Sequence, residues 1–172
     1  IFLRIFFIAL TFSPYLIMKI LHTADWHLGK RLDRFSRIEE QRAVMEEIVQ
    51  IANDQKVDMV IVAGDLFDNF TPNTDAVELF YKTLKQLSCE GKRPIVAISG
   101  NHDSPKLIDA PDPLARECGI FLIGYPNAIV SPIKAETFEI TTSEEGFLEF
   151  RFEKYPYPLR ILHTPYANEP RL

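Results

Sequence analysis

Three short polar segments combine side chains that can bind a metal ion or transfer a proton. They are Asp25-Trp26-His27, Gly64-Asp65-Leu66-Phe67-Asp68 and Gly100-Asn101-His102-Asp103. Each follows directly on an apolar run of the kind that forms a buried strand. Because ligand sites form at the carboxyl ends of the strands in an open parallel sheet, we expect the three segments to meet in one crevice.

The side chains in these segments favour a site for divalent metal ions. Asp25 and His27 are two residues apart, and in an extended segment that spacing places both side chains on one side. Asp65 can bridge two ions through its two carboxylate oxygens, and Asn101 offers a neutral amide oxygen. A mixed set of carboxylate, imidazole and amide ligands suits Mn²⁺, iron or Zn²⁺ better than Ca²⁺.

The reaction expected of such a site is hydrolysis of a phosphoester. Two ions about 3.5–4 Å apart polarise a phosphate and lower the pKa of a bridging water, which then attacks phosphorus in line. His102 would face the phosphate and protonate the leaving oxygen or stabilise the developing charge. Each segment alone could be an ordinary turn, but three of them at successive strand ends favour a catalytic site.

The rest of the sequence alternates between short apolar runs and amphipathic segments. Strands are predicted at Lys19–Thr23, Val57–Ala63, Pro94–Ile98 and Ile120–Ile123. Between the first two of them, Arg37–Gln55 has the apolar spacing of a helix. Because strands alternate with helices, we expect right-handed crossovers and a largely parallel sheet.

The helices have recognisable faces and ends. The apolar face of the first is predicted to carry Val44, Ile48, Ile51 and Ala52. The second is predicted to begin at Thr71-Pro72, with Thr71 as the cap and Pro72 in the first turn. A short helix is also expected at Pro113–Cys118.

The pattern changes after Tyr125. Glu136–Thr141 and Phe147–Glu153 alternate apolar and polar residues around Ser143–Gly146, which is typical of an antiparallel hairpin. Leu159–His163 is predicted to be one more strand. The predicted fold class is therefore an α/β layered sandwich, with parallel strands and flanking helices followed by an antiparallel hairpin.

Together, the three polar segments resemble the signature of the calcineurin-like metallophosphoesterases. The resemblance implies two bound divalent cations, with Mn²⁺ favoured. It implies that Asp25, His27 and Asp65 hold the first ion, and that Asp65 and Asn101 hold the second. His102 would be the catalytic histidine.

Two further acidic residues match the same signature. The resemblance implies that Asp68 and Asp103 orient the metal ligands. The family also carries later histidines in a Gly-His-x-His motif, which this sequence lacks. We therefore expect the chain to hold the first half of a two-metal site, on a sandwich that is incomplete at its C-terminus.

Longer stretches are similar to one subfamily, the SbcD nucleases. They are LHTADWHLGK at 21–30, VDMVIVAGDLFD at 57–68 and SGNHDS at 99–104. This similarity implies a DNA exonuclease and endonuclease that cuts DNA ends or hairpins in recombination and repair. The implied assembly is a homodimer in complex with an SbcC-type ATPase. The alternatives are a phosphatase or cyclic-nucleotide phosphodiesterase with the same site, or an inactive metal-binding fragment.

Four cations follow the first polar segment, namely Lys30, Arg31, Arg34 and Arg37. They are predicted either to contact DNA phosphates or to form a solvated loop, and acidic neighbours leave both interpretations open. Trp26 is expected to pack in the core rather than to stack on a base. His163 is expected to be a hydrogen-bonded structural histidine rather than a metal ligand.

Chain length, net charge and cysteine content limit the kinds of protein that this sequence can be. The chain has 172 residues, which is enough for one domain with a core, and a net charge of −5. That charge argues against a protein that coats DNA with its whole surface, but not against a nuclease whose metal ions restore positive charge locally. Cys89 and Cys118 are predicted to be reduced thiols of a cytoplasmic protein.

The first 17 residues, Ile1–Ile17, are strongly apolar. Thr11, Ser13 and Pro14 interrupt them, no small-residue cleavage motif follows, and a membrane span needs roughly 20 apolar residues. A targeting segment is the alternative, but we expect an upstream extension outside the native protein. On this interpretation the protein begins at Met18, residues 18–172 are the N-terminal part of a metallophosphoesterase domain, and no membrane is involved.

Overall fold

A computed structural model describes residues 4–11 and 17–168. The strands are β1 (Arg4–Thr11), β2 (Ile17–Ala24), β3 (Arg31–Leu32), β4 (Phe35–Ser36), β5 (Met59–Ala63), β6 (Ile95–Ile98), β7 (Ile120–Ile123), β8 (Phe138–Glu144), β9 (Phe147–Phe152) and β10 (Leu159–Leu162). The helices are α1 (Ile38–Asp54), α2 (Thr74–Leu87), α3 (Pro105–Asp109) and α4 (Asp112–Ala115), and a 3₁₀ turn follows at Arg116–Cys118.

The central sheet has the strand order β1-β2-β5-β6-β7. β2, β5, β6 and β7 are parallel, and β1 pairs antiparallel with β2 at the edge. Of the parallel strands, β5, β6 and β7 are continuous apolar runs, as expected of a sheet that is covered on both faces. The predicted parallel sheet is therefore confirmed, whereas a native start at Met18 stays a prediction.

One core lies between this sheet and the helices. Strand residues such as Val60 and Val62 pack there against Ile48 of α1 and Phe80 of α2, and all four are fully buried. The side chains of Trp26 and Phe67 extend the same core beneath the polar loops. All the loops that carry candidate site residues therefore rest on one packed layer.

A second core lies on the other face of the central sheet. There, β8, β9 and β10 form an antiparallel sheet that packs Phe138 and Phe150 against Phe121 of β7. Each buried phenylalanine contributes roughly 1.5–3 kcal/mol of hydrophobic stabilisation. The predicted hairpin and the strand after it are confirmed, and the layers run helices, parallel sheet, antiparallel sheet.

The start of α2 differs from the prediction. Asn73, not Thr71, is the N-cap, and its Oδ1 accepts a hydrogen bond from the N–H of Ala76 at 2.9 Å. The Thr71 N–H instead donates to Oδ1 of Asn69 at 3.1 Å. Because Asn73 caps the helix, the helix begins at Thr74 and Pro72 lies before it.

The buried face of α1 also differs in part. Its buried residues are Gln41, Met45, Ile48 and Ala52. The predicted Val44 and Ile51 are only partly buried beside this row. The polar side chain of Gln41 does not fit an apolar stripe, so hydropathy alone does not place it there.

In the described part of the chain, no helix combines the length and the apolar character that crossing a membrane requires. Cys89 and Cys118 are both free thiols.

Candidate metal centre

The first polar loop begins where β2 ends at Ala24. Asp25 and His27 have φ values of 58° and 44°, in the left-handed region that side chains seldom adopt. The prediction of an extended segment at Asp25 and His27 is therefore wrong. The N–H of Asp25 donates to the carbonyl oxygen of Gly64 at 3.1 Å, and that of His27 to Asp65 at 2.9 Å, which holds the loop against its neighbour.

The second and third loops approach each other through two glycines. Gly64 has φ +83°, and a Cβ there would lie 3.2 Å from Cα of Gly100. A Cβ on Gly100 would lie 2.0 Å from Oδ1 of Asp65, which is far inside van der Waals contact. Glycine at position 100 is therefore what allows the Asp65 side chain to occupy its place.

His27, Asp65 and His102 converge at the carboxyl edge of the sheet. One potential ligand atom from each lies within 4.8 Å of the other two. His27 Nε2 is 3.7 Å from Asp65 Oδ2, and the two imidazole rings are 4.9 Å apart in an edge-to-face arrangement. Three loops distant in sequence thus bring two imidazoles and a carboxylate together, as predicted from their positions after strands.

His27 and Asp65 supply ligand types that fit a divalent cation, and His102 lies beside them. An imidazole nitrogen and a carboxylate oxygen this close together are the kinds of ligand that Mn²⁺, iron and Zn²⁺ take in proteins. Nδ1 of His27 is buried and has no hydrogen-bond partner among the residues that the structure describes. Oδ1 of Asp68 lies 3.6 Å from this atom, so Nδ1 faces one carboxylate while Nε2 faces that of Asp65.

Asp25 and Asn101 are not in this three-residue group. Both are exposed, and with Asp65 they line an adjacent cavity of about 250 Å³. Thr164 and Tyr166 form its other side, where the Tyr166 N–H donates to the carbonyl oxygen of Ser99 at 2.9 Å. Asp65 therefore belongs both to the three-residue group and to the lining of the cavity. A ligand that bridges two ions needs such a position.

His102 is held through its Nδ1 atom. That atom lies 2.8 Å from the carbonyl oxygen of Asp68. Because a carbonyl oxygen only accepts, Nδ1 must carry the proton, and Nε2 of the neutral ring is then an acceptor. His102 can therefore gain and lose a proton at Nε2 without moving its ring.

Asp103 joins the second and third loops. Its carboxylate accepts backbone hydrogen bonds from Leu66 at 3.0 Å, Phe67 at 2.9 Å and Gly100 at 2.7 Å. The side chain is fully buried, and burial raises the pKa of the Asp103 carboxyl although these three bonds oppose the shift. A carboxylate that fixes two loops to each other is suited to the predicted role of orienting metal ligands.

The family model for calcineurin-like phosphoesterases matches residues 18–161. The chain belongs to this family. The fold expected of a metallophosphoesterase, with parallel strands, flanking helices and an antiparallel hairpin, is the one observed.

Relatives of this phosphoesterase chain include the SbcD component of the nuclease SbcCD from Bacillus subtilis, 51% identical over 119 residues. The protein of the same name from Rhodobacter capsulatus is 40% identical over 108 residues. These alignments cover 69% and 62% of this chain but only 30% and 27% of the two relatives. The matched part of this chain therefore corresponds to less than a third of the length of each of these relatives.

Two of the four cations beyond the first loop of the phosphoesterase are engaged in ion pairs. Nζ of Lys30 lies 3.0 Å from Oδ1 of Asp68, which also lies 3.6 Å from His27 Nδ1. Nη2 of Arg37 lies 2.6 Å from Oε2 of Glu40. Lys30 and Arg37 thus already have carboxylate partners within the chain.

The other two cations lie on the hairpin of β3 and β4. Arg31 and Arg34 are both exposed, and Arg31 donates to the carbonyl oxygen of Arg34. The Arg34 guanidinium lies 5.4 Å from the ring centroid of Phe35, itself 62% exposed. The hairpin presents positive charge and an aromatic ring to solvent.

The predicted environment is confirmed for Trp26 but not for His163. Trp26 is buried as predicted, and its Nε1 donates to Oγ1 of Thr23 at 3.0 Å. His163 is 6% exposed, and neither of its ring nitrogens has a hydrogen-bond partner among the described residues. The prediction of a hydrogen-bonded histidine is therefore wrong, and burial lowers the pKa of the His163 imidazole.

Gln41 belongs to the site but was not predicted from the sequence. Its side chain is buried against the loop that carries His27, with hydrogen bonds to His27 and Gly29. The signal was present in the sequence, because position 41 continues the row of Met45, Ile48 and Ala52 at helical spacing. A polar residue in an otherwise apolar row indicates a specific hydrogen bond.

Proposed function

We propose that the full-length protein containing this chain is a Mn²⁺-dependent nuclease that hydrolyses phosphodiester bonds at DNA ends or hairpins. The observation that carries the proposal is the convergence of His27, Asp65 and His102 within 4.8 Å at the carboxyl edge of the sheet. Membership of the calcineurin-like phosphoesterases supports the reaction class, and relatives named as components of a nuclease support DNA as the substrate.

The proposed ligands fall into two sets that share one residue. Asp25, His27 and Asp65 would hold one cation, and Asp65 and Asn101 would contribute to a second. Two divalent cations at these positions would polarise the phosphodiester and activate the attacking water. We propose that this chain contains only part of the second ligand set.

The charges on the protein agree with a requirement for cations. Asp25, Asp65 and Asp68 are carboxylates within or beside the site, and a phosphodiester is also an anion. Without added positive charge these groups would repel the substrate. Divalent cations held by these residues would supply the positive charge that a phosphodiester needs there.

His102 has the geometry of a proton donor. With Nδ1 bound to the Asp68 carbonyl oxygen at 2.8 Å, only Nε2 is available to the substrate. A proton on Nε2 would pass to the leaving 3′ or 5′ oxygen, or would stabilise charge on the phosphate. Asp68 and Asp103 would keep the histidines and loops in position.

DNA contacts are proposed for the basic segment at Lys30, Arg31, Arg34 and Arg37. Arg31 and Arg34 are the stronger candidates, because they are exposed while the other two pair with carboxylates. The names of the relatives also support assembly with an SbcC-type ATPase. We propose such a complex, containing a homodimer of the nuclease and acting in DNA recombination and repair.

The test compares two substrates in the presence of Mn²⁺, linear duplex DNA and a small aryl phosphodiester. The full-length protein is assayed beside Asp65→Asn and beside Asp75→Asn, an exposed aspartate in the first turn of α2. Cleavage of DNA by wild type and Asp75→Asn, but not by Asp65→Asn, is the expected result. Removal of Mn²⁺ with EDTA should abolish it.

Other outcomes separate the alternatives. Cleavage of the small diester alone would retain the phosphodiesterase site and reject DNA as substrate, in favour of a phosphatase or cyclic-nucleotide phosphodiesterase. Equal activity of Asp65→Asn and wild type would reject the site itself. For the 172-residue chain alone, tight binding of two Mn²⁺ ions would contradict a partial second ligand set.

A further inference from the structure

Gln41 is a buried amide that lies beneath the loop of the metal centre. Its side chain is 1% exposed and projects from α1 towards the segment that follows Asp25. Nε2 donates to the carbonyl oxygen of His27 at 2.7 Å, and Oε1 accepts from the N–H of Gly29 at 3.0 Å. Both polar ends of one amide are therefore bound to the backbone on either side of Leu28.

The loop needs such a partner because of its backbone conformation. Asp25, His27 and Gly29 all have positive φ, at 58°, 44° and 90°. A non-glycine residue in that region is unfavourable and persists only where its surroundings hold it. At His27, the surroundings include the amide of Gln41.

Backbone hydrogen bonds also hold this part of the loop, and the Gln41 side chain adds a second donor to the His27 carbonyl oxygen and an acceptor for the Gly29 N–H. The N–H of Leu28 donates to Leu66 at 3.0 Å, and Lys30 donates to the carbonyl oxygen of His27 at 3.1 Å. The Gly29 N–H has Gln41 as its partner. A neutral primary amide supplies a donor and an acceptor together, which neither a carboxylate nor an apolar side chain does.

We propose that Gln41 is a positioning residue for the metal centre. Its amide fixes the backbone of His27, so that the imidazole stays close to Asp65 and His102. Gln41 is suited to this because it lies in the buried row of α1 with Met45 and Ile48, so its support is rigid. The inference rests on the proposed metal site and adds to it the residue that maintains the geometry of a ligand.

The test is the Mn²⁺ affinity of the full-length apoprotein, measured by titration calorimetry. Gln41→Met has a similar length and removes both hydrogen bonds, and we expect it to weaken Mn²⁺ binding about 10–100-fold, as is usual for residues that orient ligands. Thr83→Val is the matched control. It removes a buried hydrogen bond, from Thr83 to the carbonyl oxygen of Leu79 at 2.8 Å, in a helix outside the loop. Its Mn²⁺ affinity should equal that of wild type.

Gln41→Glu separates positioning from charge. Its ionised carboxylate cannot donate to the carbonyl oxygen of His27, while its negative charge alone would strengthen the binding of a cation. Positioning predicts weaker Mn²⁺ binding in spite of the added charge. Equal or tighter binding by Gln41→Glu would overturn the inference.

The remaining outcomes are also decisive. If Gln41→Met binds Mn²⁺ within about twofold as tightly as wild type, the loss is well short of what is usual for residues that orient ligands. That result would overturn the role of Gln41 but would not affect the proposed metal site. Equal losses in Gln41→Met and Thr83→Val would assign the effect to general destabilisation and would also overturn it. Absence of Mn²⁺ binding by wild type would instead reject the proposed metal site, and the inference with it.

Discussion

The backbone N–H of His102 donates a hydrogen bond to Oδ1 of Asp65 at 3.1 Å. The proposed bridging carboxylate and the proposed proton donor are thus joined directly, although they lie 37 residues apart. The bond sets the orientation of the Asp65 carboxylate and leaves Oδ2 facing His27 at 3.7 Å. Any change that separates the two loops should therefore affect metal binding and catalysis together.

Gly100→Ala is expected to disrupt the centre. The new Cβ would lie 2.2 Å from the backbone nitrogen of Asp65 and 2.0 Å from its Oδ1, so one loop must move. We expect a loss of about 1–3 kcal/mol in the free energy of unfolding, typical of overpacking, with a large loss of Mn²⁺ affinity. Urea unfolding and calorimetric titration measure the two effects.

Gly146→Ala provides the control for that variant. Gly146 has φ +71° and lies in the β8–β9 turn, so alanine there is strained by about 1 kcal/mol. This variant should lose stability and keep the Mn²⁺ affinity of wild type. If Gly100→Ala also kept wild-type affinity, the close contact of the two loops would not be needed for the site.

His163→Leu is expected to stabilise the protein and to change its response to acid. The buried ring has a pKa below the usual value of 6.5, because burial disfavours its charged form. The unfolded chain therefore binds a proton at higher pH than the folded chain, and the free energy of unfolding falls as the pH drops below about 6.5. His163→Leu should lose this part of the pH dependence.

The measurement is urea unfolding of wild type and His163→Leu at about pH 7.5 and about pH 5.5, on either side of the ordinary histidine pKa. At the higher pH the variant should gain about 1–2 kcal/mol, because two buried nitrogens without partners are removed. The gain should be larger at the lower pH. His163→Gln, which keeps buried polar groups, should not be stabilised, and identical pH slopes in wild type and His163→Leu would contradict the explanation.

The Arg31→Ala/Arg34→Ala double variant is expected to weaken DNA binding without impairing hydrolysis of the small diester. Both side chains are exposed on the hairpin that follows the first polar loop, and each phosphate contact contributes about 0.9 to the slope of log K against log salt. Two lost contacts should reduce that slope by about 1.8. Fluorescence anisotropy with duplex DNA in an Asp65→Asn background measures binding without cleavage.

Arg151→Ala serves as the control for the hairpin variant, because Arg151 is exposed on β9 in the antiparallel sheet. It should leave the salt slope unchanged. An unchanged slope in the double variant as well would indicate that the basic segment is a solvated loop, which is the alternative that the sequence left open.

The strands and the convergence of the site could be predicted because they follow from local patterns. Val60 and Val62 belong to a continuous apolar run, which is typical of a strand in a sheet that is covered on both faces. Asp65 lies in the loop that follows this strand. Parallel strands then place successive loops at one edge. The convergence of His27 with Asp65 and His102 needed no further information.

Details that depend on tertiary contacts could not be predicted. The left-handed conformation of His27 is maintained by hydrogen bonds to Asp65 and Gln41, and neither is visible from spacing. The helical spacing of position 41 indicates that Gln41 faces inwards, but it does not show which backbone groups the amide binds. His163 was expected to have a partner because most buried histidines do, and the structure provides none among the described residues.

The backbone angles at three site residues also limit how this centre can change. Asp25, His27 and Asp65 all have φ between 44° and 58°. Outside glycine, asparagine, aspartate and histidine are the residues that accept such angles most readily. β-branched side chains at these positions would strain the backbone, whatever their effect on metal binding. Attempts to re-engineer the metal preference of the site should therefore keep to Asp, Asn and His at these positions and vary the surrounding residues instead.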